Sequence, residues 1–231
     1  MTPLGPVSGG VLKGDLVLKG GGDPTLNTDR LAQLAASLKK AGINEVRGKF
    51  IVDGSALPEW QAGAHLDLVV APEYLRQFSM CGNTADRSRY QIGVLREDEG
   101  RGGSKLLHRI FNVGRRIFIS HPINHFPLDP AASRSMLMGG GIGITPLIAM
   151  AHELHDQGRE FTMHYSGRSR TTMGFLDDLA SFPWRDNVTL HITDEGSRID
   201  LDAVMRGYEN GWHVYTCGAE RYMASVMTAA E

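Results

Sequence analysis

The period of the hydrophobic pattern changes twice along this chain. Near the start, Asp15–Lys19 (DLVLK) alternates, which predicts a strand. Leu31, Leu34, Ala35 and Leu38 then share one face at helical spacing. Asn27 or Thr28 is placed to cap that helix and Gly42 to stop it. A short strand at 50–52 and a DGS turn at 53–55 complete a strand–helix–strand head. Residues 1–10, rich in Gly, Pro and Ser, are expected to fray. From Leu57 the apolar runs shorten and recur at 65–70, 75–80, 90–96 and 116–120, the rhythm of a small antiparallel barrel. From Ser135 strands at 135–138, 161–165, 188–193 and 213–217 alternate with helices near 145–156, 171–180 and 200–208, and a last helix starts near Glu220. That alternation predicts a doubly wound parallel sheet. The expected fold class is thus mixed α/β and β, with segments 1–53 (head), 54–130 (antiparallel β-barrel) and 131–231 (nucleotide-binding α/β domain).

The most pointed motif is GGGIGITPL at 139–147. It follows a strand pattern and opens a helix pattern. Consecutive glycines let the backbone approach a ligand, Pro146 suits a first helical turn, and the helix start offers amides to a phosphate. Gly140, Gly141, Gly143, Thr145 and Pro146 are the candidate contacts; a glycine-rich turn without a ligand is the plainer alternative. The spacing Gly141-x-Gly143-x-x-Pro146 differs from the six-residue dinucleotide fingerprint and resembles that of the ferredoxin reductase superfamily.

Other motifs follow in order. RQFS at 76–79 ends a barrel strand. Arg76 can pair with a phosphate, Phe78 can lean on a flavin ring and Ser79 can hydrogen-bond to it. GRGGS at 100–104 places the amides of Gly102 and Gly103 and the Ser104 hydroxyl around an anion, ahead of a helix at 105–111. HYSGRS at 164–169 brings Arg168 and Ser169 to the ligand-binding edge of an open sheet, where they can hold an adenosine ribose or its phosphate; Arg170 is a further candidate. TCG at 216–218 ends the last strand with Cys217 and Gly218.

Composition narrows the choice. The 231 residues are 42% hydrophobic with net charge -2, so a buried core is available and no basic face argues for nucleic acid. No apolar run has the length of a membrane span, and MTPLGPVSGG is not expected to be a signal peptide. Two cysteines, Cys81 and Cys217, cannot form a disulfide framework, a four-cysteine zinc site or a two-iron cluster. A cytoplasmic setting is expected, with neither nucleic acid nor membrane as partner. His152 and His155 have helical spacing without a matching ligand cluster, so no metal is expected.

Together AGAHLDL (62–68), RQFSMC, GRGGSKLLH, ISHPINHFPL (119–128), GGGIGITPLIAMA, HYSGRS and TCG resemble the reductases of aromatic-ring dioxygenases and demethylases, of the phthalate dioxygenase and vanillate demethylase reductase kind. The resemblance implies FMN with its phosphate near Arg76 and Ser104, Asn124 and Phe126 closing the flavin site, and Cys217 beside the nicotinamide of NADH (or NADPH). It implies hydride transfer to bound FMN, originally for electron delivery to an iron–sulfur domain and an oxygenase. No acid or base is essential to that step, so no catalytic residue is singled out. Ala219 stands where the family usually has proline. The ferredoxin domain that follows in these reductases is missing, so no iron–sulfur cluster is expected in this chain.

Residues 11–53 instead resemble a non-catalytic stretch of the penicillin-binding D-alanyl-D-alanine carboxypeptidases, carried by GDLVLKGGGDPTL. The chain contains neither Ser-x-x-Lys nor Lys-Thr-Gly. It reads as a chimera with its seam at about 49–55, in which 15–19 and 49–52 replace missing strands at the barrel edge. The alternatives to the oxidoreductase are an inactive chimera, a nucleotide binder without turnover and, least favoured, a cell-wall carboxypeptidase.

Overall fold

The computed structural model describes residues 2–4, 6–13, 15–19, 36–43, 45–46, 50–53, 57–71, 74–97, 102–111, 113 and 117–231. The head comprises β1 (Thr2–Leu4), β2 (Val7–Ser8), β3 (Val11–Leu12), β4 (Asp15–Lys19), helical residues 36–40 (α1), β5 (Glu45–Val46) and β6 (Phe50–Asp53). Gly9 and Gly10 have φ of 58° and 80°, the two left-handed residues that a tight hairpin needs, and they turn β2 onto β3. β1 pairs antiparallel with β4, Thr2 opposite Val17. The expected fraying of 1–10 is therefore corrected: 2–4 and 7–8 are held in ladders. The call at Asn27 and Thr28 lies outside the described residues.

β4 and β6 pair in parallel, Leu16 opposite Phe50, with α1 in the crossover between them. This differs from the expected role of 15–19 and 49–52 as barrel-edge strands. Among the described residues their ladder partners are each other and β1. A strand–helix–strand crossover satisfies these backbone groups within the head itself. Leu12 and Ile43 form a small core there with Leu38 packed against it.

Residues 1–59 with 87–90 form one compact unit, and 60–86 with 91–231 form another. The second unit opens with β7 (Ala64–Ala71), β8 (Tyr74–Ser79), α2 (Gly103–Ile110), β9 (Phe118–Ile119) and β10 (Ile123–Asn124). Its antiparallel sheet runs β10-β7-β8, with β9 also on β7. Leu66, Leu68 and Val70 are buried while Val69 between them is exposed, the alternation of a strand with one wet face. The expected strand at 90–96 is corrected: it forms only one bridge, Ile92 to Met80. Gly93 explains this, because a Cβ there would meet Phe175 and Thr145 at 2.7 Å. That backbone is pressed against the second half of the unit instead of extending the ladder.

That half comprises β11 (Arg134–Gly140), α3 (Ile144–Asp156), β12 (Phe161–Gly167), α4 (Leu176–Ser181), β13 (Val188–Ile192), α5 (Leu201–Met205), β14 (Trp212–Cys217) and α6 (Glu220–Ala230). All pairs are parallel, in the order β13-β12-β11-β14. Central β11 is buried from Ser135 to Gly139, as a strand covered on both faces must be. Met136 and Met138 pack with Val226 against α5 and α6 residues. α4 starts later than the pattern at 171–180 suggests, because Phe175 is left-handed at φ 65° and a 3-10 turn occupies Arg170–Thr172. Among the described residues no helix is long and apolar enough to cross a membrane.

His152 belongs to the core: its Nδ1 accepts from Trp184 Nε1 at 3.2 Å, with Phe182 edge-on at 4.6 Å. Burial holds His152 below the usual imidazole value and pushes His164 down to about 4. Both pKa values are depressed in the folded state, so below the ordinary value the unfolded chain binds protons that the folded one refuses. Stability is expected to be full above about pH 6.5 and to be lost as pH falls towards 4. Urea midpoints measured across that window, and flattened in His164→Gln, check this; a midpoint constant from pH 7 to 5 contradicts it.

Candidate flavin and nucleotide site

In an open parallel sheet the ligand crevice lies beyond the carboxyl ends of the strands, where the strand order reverses. Here the reversal falls between β11 and β14. A cleft of about 1120 Å³ opens at that point, lined by Gly140 and Gly141 at the end of β11, Gly167 and Arg168 at the end of β12, and Gly218 after β14. Gly141 has φ 55° with open space around a would-be Cβ, so a ligand can lie directly on the backbone. Gly143 does something different. A Cβ there would overlap the Cys217 carbonyl, so this glycine seats the start of α3 against the end of β14. Thr145 is buried and donates its hydroxyl to Ile142 O at 3.0 Å, a turn-forming contact.

Of the polar candidates after β12, Arg168 lines the cleft and stands 4.0 Å from Asp194. Ser169 closes the 3-10 turn through Thr171 and Thr172, at 3.0 and 3.1 Å. Arg170 is engaged by Glu195 at 2.7 and 3.1 Å. The structure adds residues that no motif pointed to: His191, Arg198, Arg221 and Tyr222 all line the cleft. The Tyr222 ring lies on Gly140, 2.8 Å from where a Cβ would be. Burial raises its phenol, which is therefore un-ionised near neutrality. The Ser166 hydroxyl faces that phenol and tempers the shift, while Thr216 Oγ1 on β14 is buried without a hydrogen-bond partner among the described residues. Hydroxyls on the cleft wall, a bare glycine cradle and several arginines fit a ligand carrying ribose and phosphate.

The flavin candidates also come together. A Cβ on Gly103 would sit 2.8 Å from Arg76 Nε, so the Arg76 side chain lies along the first residue of α2. Arg76 donates to Leu75 O at 2.7 Å. Gly102, left-handed at φ 87°, caps α2, and no acidic residue occupies the first turn. A guanidinium beside the amides of a helix start is a geometry that fits a phosphate. Ser104 Oγ accepts from the Glu97 amide at 3.2 Å.

Strand alternation separates the RQFS residues. Arg76 and Phe78 share one face of β8, and Gln77 and Ser79 share the other. A second cleft, about 220 Å³, is lined by Ser79 with Gly63, His65 and Phe126 from the antiparallel half and by Pro146 and Cys217 from the parallel half. Phe78 is half-buried and is not on its wall. Asn124 pins the loop that carries Phe126: its Nδ2 donates to Ala62 O at 3.0 Å and its Oδ1 accepts from the Phe126 amide at 2.9 Å. That pinned loop explains Gly63, whose Cβ would collide with the Phe126 carbonyl. Burial raises the Cys217 thiol, so Cys217 is a small wall residue and not a nucleophile. Tyr215 Oη accepts from the Asp129 amide at 2.8 Å, which ties the segment between the halves to β14.

These features define the class. Residues from about 55 onward have a ferredoxin reductase-like fold, an antiparallel β part followed by a parallel α/β part, and are similar to the reductase subunits of oxygenase systems. They are 40% identical over 179 residues to the tert-butanol monooxygenase / tert-amyl alcohol desaturase reductase subunit of Aquincola tertiaricarbonis, covering 77% of this chain and 53% of that protein. They are 37% identical over 181 residues to the vanillate O-demethylase oxidoreductase of Pseudomonas sp. (strain HR199 / DSM 7063), covering 78% and 57%. The solved phthalate dioxygenase reductase, described as a modular structure for electron transfer from pyridine nucleotides to [2Fe-2S], superposes with a TM-score of 0.72 at 36% identity, covering 77% of this chain and 56% of that one. The chain spans about half the length of the curated relatives it matches. Residues 2–67 match the D-Ala-D-Ala carboxypeptidase 3 (S13) family. The sequence thus joins stretches similar to two unrelated families, and the carboxypeptidase match runs past the 49–55 seam into β7.

Proposed function

We propose that residues 57–231 hold FMN and NADH or NADPH side by side and act as an electron-input module. The observation that carries this reading is the convergence of Ser79, Pro146 and Cys217 on one cleft. The end of a flavin-type strand there meets the start of the nucleotide helix and the end of the last sheet strand. When bound, the flavin and the nicotinamide supply the hydride exchange between them. The chain's residues bind and orient. Arg76, with the first turn of α2, takes the flavin phosphate, and the Gly140–Gly141 backbone takes the nucleotide pyrophosphate. Pro146, Phe126 and Cys217 wall the ring junction and limit water there. Arg168, Arg198 and Arg221 favour an anionic coenzyme. With Arg170 held by Glu195, any ribose phosphate falls to the other three.

The similarity to oxygenase reductase subunits supports electron delivery to an oxygenase, through an iron–sulfur domain, as the role from which this module derives. A flavin-poor or inactive chimera is the second reading. It is favoured by the ladders of the head, whose strands pair with one another among the described residues. One assay separates the two. Purified protein is expected to oxidise NADH with a dye or ferricyanide as acceptor, and added FMN is expected to raise the rate above the protein-free FMN control. No turnover at saturating FMN, with native circular dichroism, leaves the inactive chimera.

A further inference from the structure

His164 on β12 and His191 on β13 are joined by a contact that none of the roles above uses. His164 Nδ1 lies 3.0 Å from His191 Nε2. The ring centroids are 5.3 Å apart and the ring planes differ by 20°. Two imidazoles linked edge to edge by one N–H···N bond have that separation, because the centroid offset of each ring adds to the bond. The rings are nearly coplanar and share a single proton, which leaves one further nitrogen on each. Burial lowers both groups, so near neutrality the pair is uncharged. His191 lines the nucleotide cleft together with Arg168, Thr193 and Arg198.

Strand order says which part of a nucleotide reaches His191. The glycine cradle follows β11, and β13 lies two ladder steps away. At about 4.8 Å per step the separation is roughly 10 Å, about the reach from a pyrophosphate to the far side of the adenosine ribose. The register puts His191 opposite Ser166, at the strand-end level of the cleft. The charged groups on the cleft wall with it are Glu97, Arg168, Arg198 and Arg221, and Asp194 and Glu195 lie on the turn after β13. Glu195 is bound by Arg170, and Asp194 stands 4.0 Å from Arg168.

We propose that the His164–His191 pair is a proton-coupled contact for a phosphomonoester at the adenosine end of the coenzyme, the 2′-phosphate that distinguishes NADPH from NADH. This rests on the nucleotide-binding reading above. When the phosphate dianion settles beside His191, the pair takes one proton from solvent. His164 then accepts the N–H of a cationic His191 and spreads its charge. Affinity for the phosphorylated coenzyme therefore rises as pH falls below the pKa of the liganded pair. Affinity for the form without the 2′-phosphate stays flat. His164 is a positioning residue that acts through His191.

Isothermal titration of the full chain with NADP+ and with NAD+ tests this. Titrations near pH 7, in non-phosphate buffers of different ionisation enthalpy, read proton uptake directly. A substantial fraction of a proton is expected per NADP+ and almost none per NAD+. His191→Gln is expected to abolish the uptake and to weaken NADP+ several-fold while leaving NAD+ within about twofold. His164→Gln is expected to reduce the uptake. NADP+ binding without uptake, or uptake unchanged in His191→Gln, overturns this proposal and leaves the nucleotide site standing. Binding of NAD+ alone also overturns it. If neither nucleotide binds to protein with native circular dichroism, the proposal falls together with the reading it rests on.

Discussion

Replacing Arg76 with alanine is expected to strip the protein of flavin while sparing its nicotinamide coenzyme. Arg76 lies along the first residue of α2, whose first turn contains no acidic residue. A phosphate placed there gains both a charge-assisted bond and the helix amides. Losing the arginine should cost about 2–4 kcal/mol of FMN binding, roughly a 30- to 1,000-fold rise in Kd. The barrel sheet should survive, because β8 keeps its ladder with β7 through backbone bonds. Flavin content after purification, FMN titration by fluorescence quenching and NAD+ titration read the three quantities. Dye reduction should return at high FMN. Unchanged flavin content would remove Arg76 from the list of phosphate contacts, and equal loss of both nucleotides would mean misfolding.

Gly143→Val should be the most damaging single change in the parallel half, and Gly141→Val, two residues earlier, should behave differently. At Gly143 a Cβ overlaps the backbone carbonyl of Cys217, which cannot rotate away as a side chain can. Either α3 or β14 must move, and β14 is locked to β11 over six residue pairs from Arg134–Trp212 to Gly139–Cys217. Overpacking against backbone should cost about 3 kcal/mol or more, seen as a melting temperature lower by several degrees or as insoluble protein. At Gly141 the space is open, and the cost is only the left-handed backbone, about 1–2 kcal/mol. That variant should stay folded and keep flavin, but its isopropyl group would stand in the nucleotide cleft and block the coenzyme. A Gly143→Val protein with wild-type melting would show that this helix start is looser than the geometry implies. NADH binding unchanged in Gly141→Val would show that the cradle is not where the nucleotide lies.

The order of elements in the second unit was legible in the sequence because period and glycine chemistry are local properties. β11 carries the apolar run Met136–Met138 and ends in glycines, α3 starts with Pro146 in its first turn, and β12 to β14 follow with helices between them. The same locality made the head visible as strand, helix and strand, and made Arg76 and the 100–104 glycines candidates for one anion. Where local reasoning failed, a distant partner decided. Residues 90–96 have a strand's pattern, yet Gly93 is pinned by Phe175 and Thr145, far along the chain. Residues 1–10 have a loose composition, yet two left-handed glycines and the edge of β4 put them in ladders.

The site divides in the same way. Motifs by themselves determined which glycines and arginines were worth examining, since a phosphate needs bare backbone and positive charge wherever it binds. Only the tertiary structure decided which candidates face a cleft and which are spent on the fold. Thr145, Ser169 and Asn124 spend hydroxyls and amides on turns; Arg170 spends its guanidinium on Glu195. Tyr222, His191, Arg198 and Arg221 carry no local signal, and they reach the cleft through strand order and helix placement. The meeting of Ser79, Pro146 and Cys217 has the same origin. Each sits at the end or start of a different element, and their distance in space is set by how two sheets pack, a quantity that no run of neighbouring residues encodes.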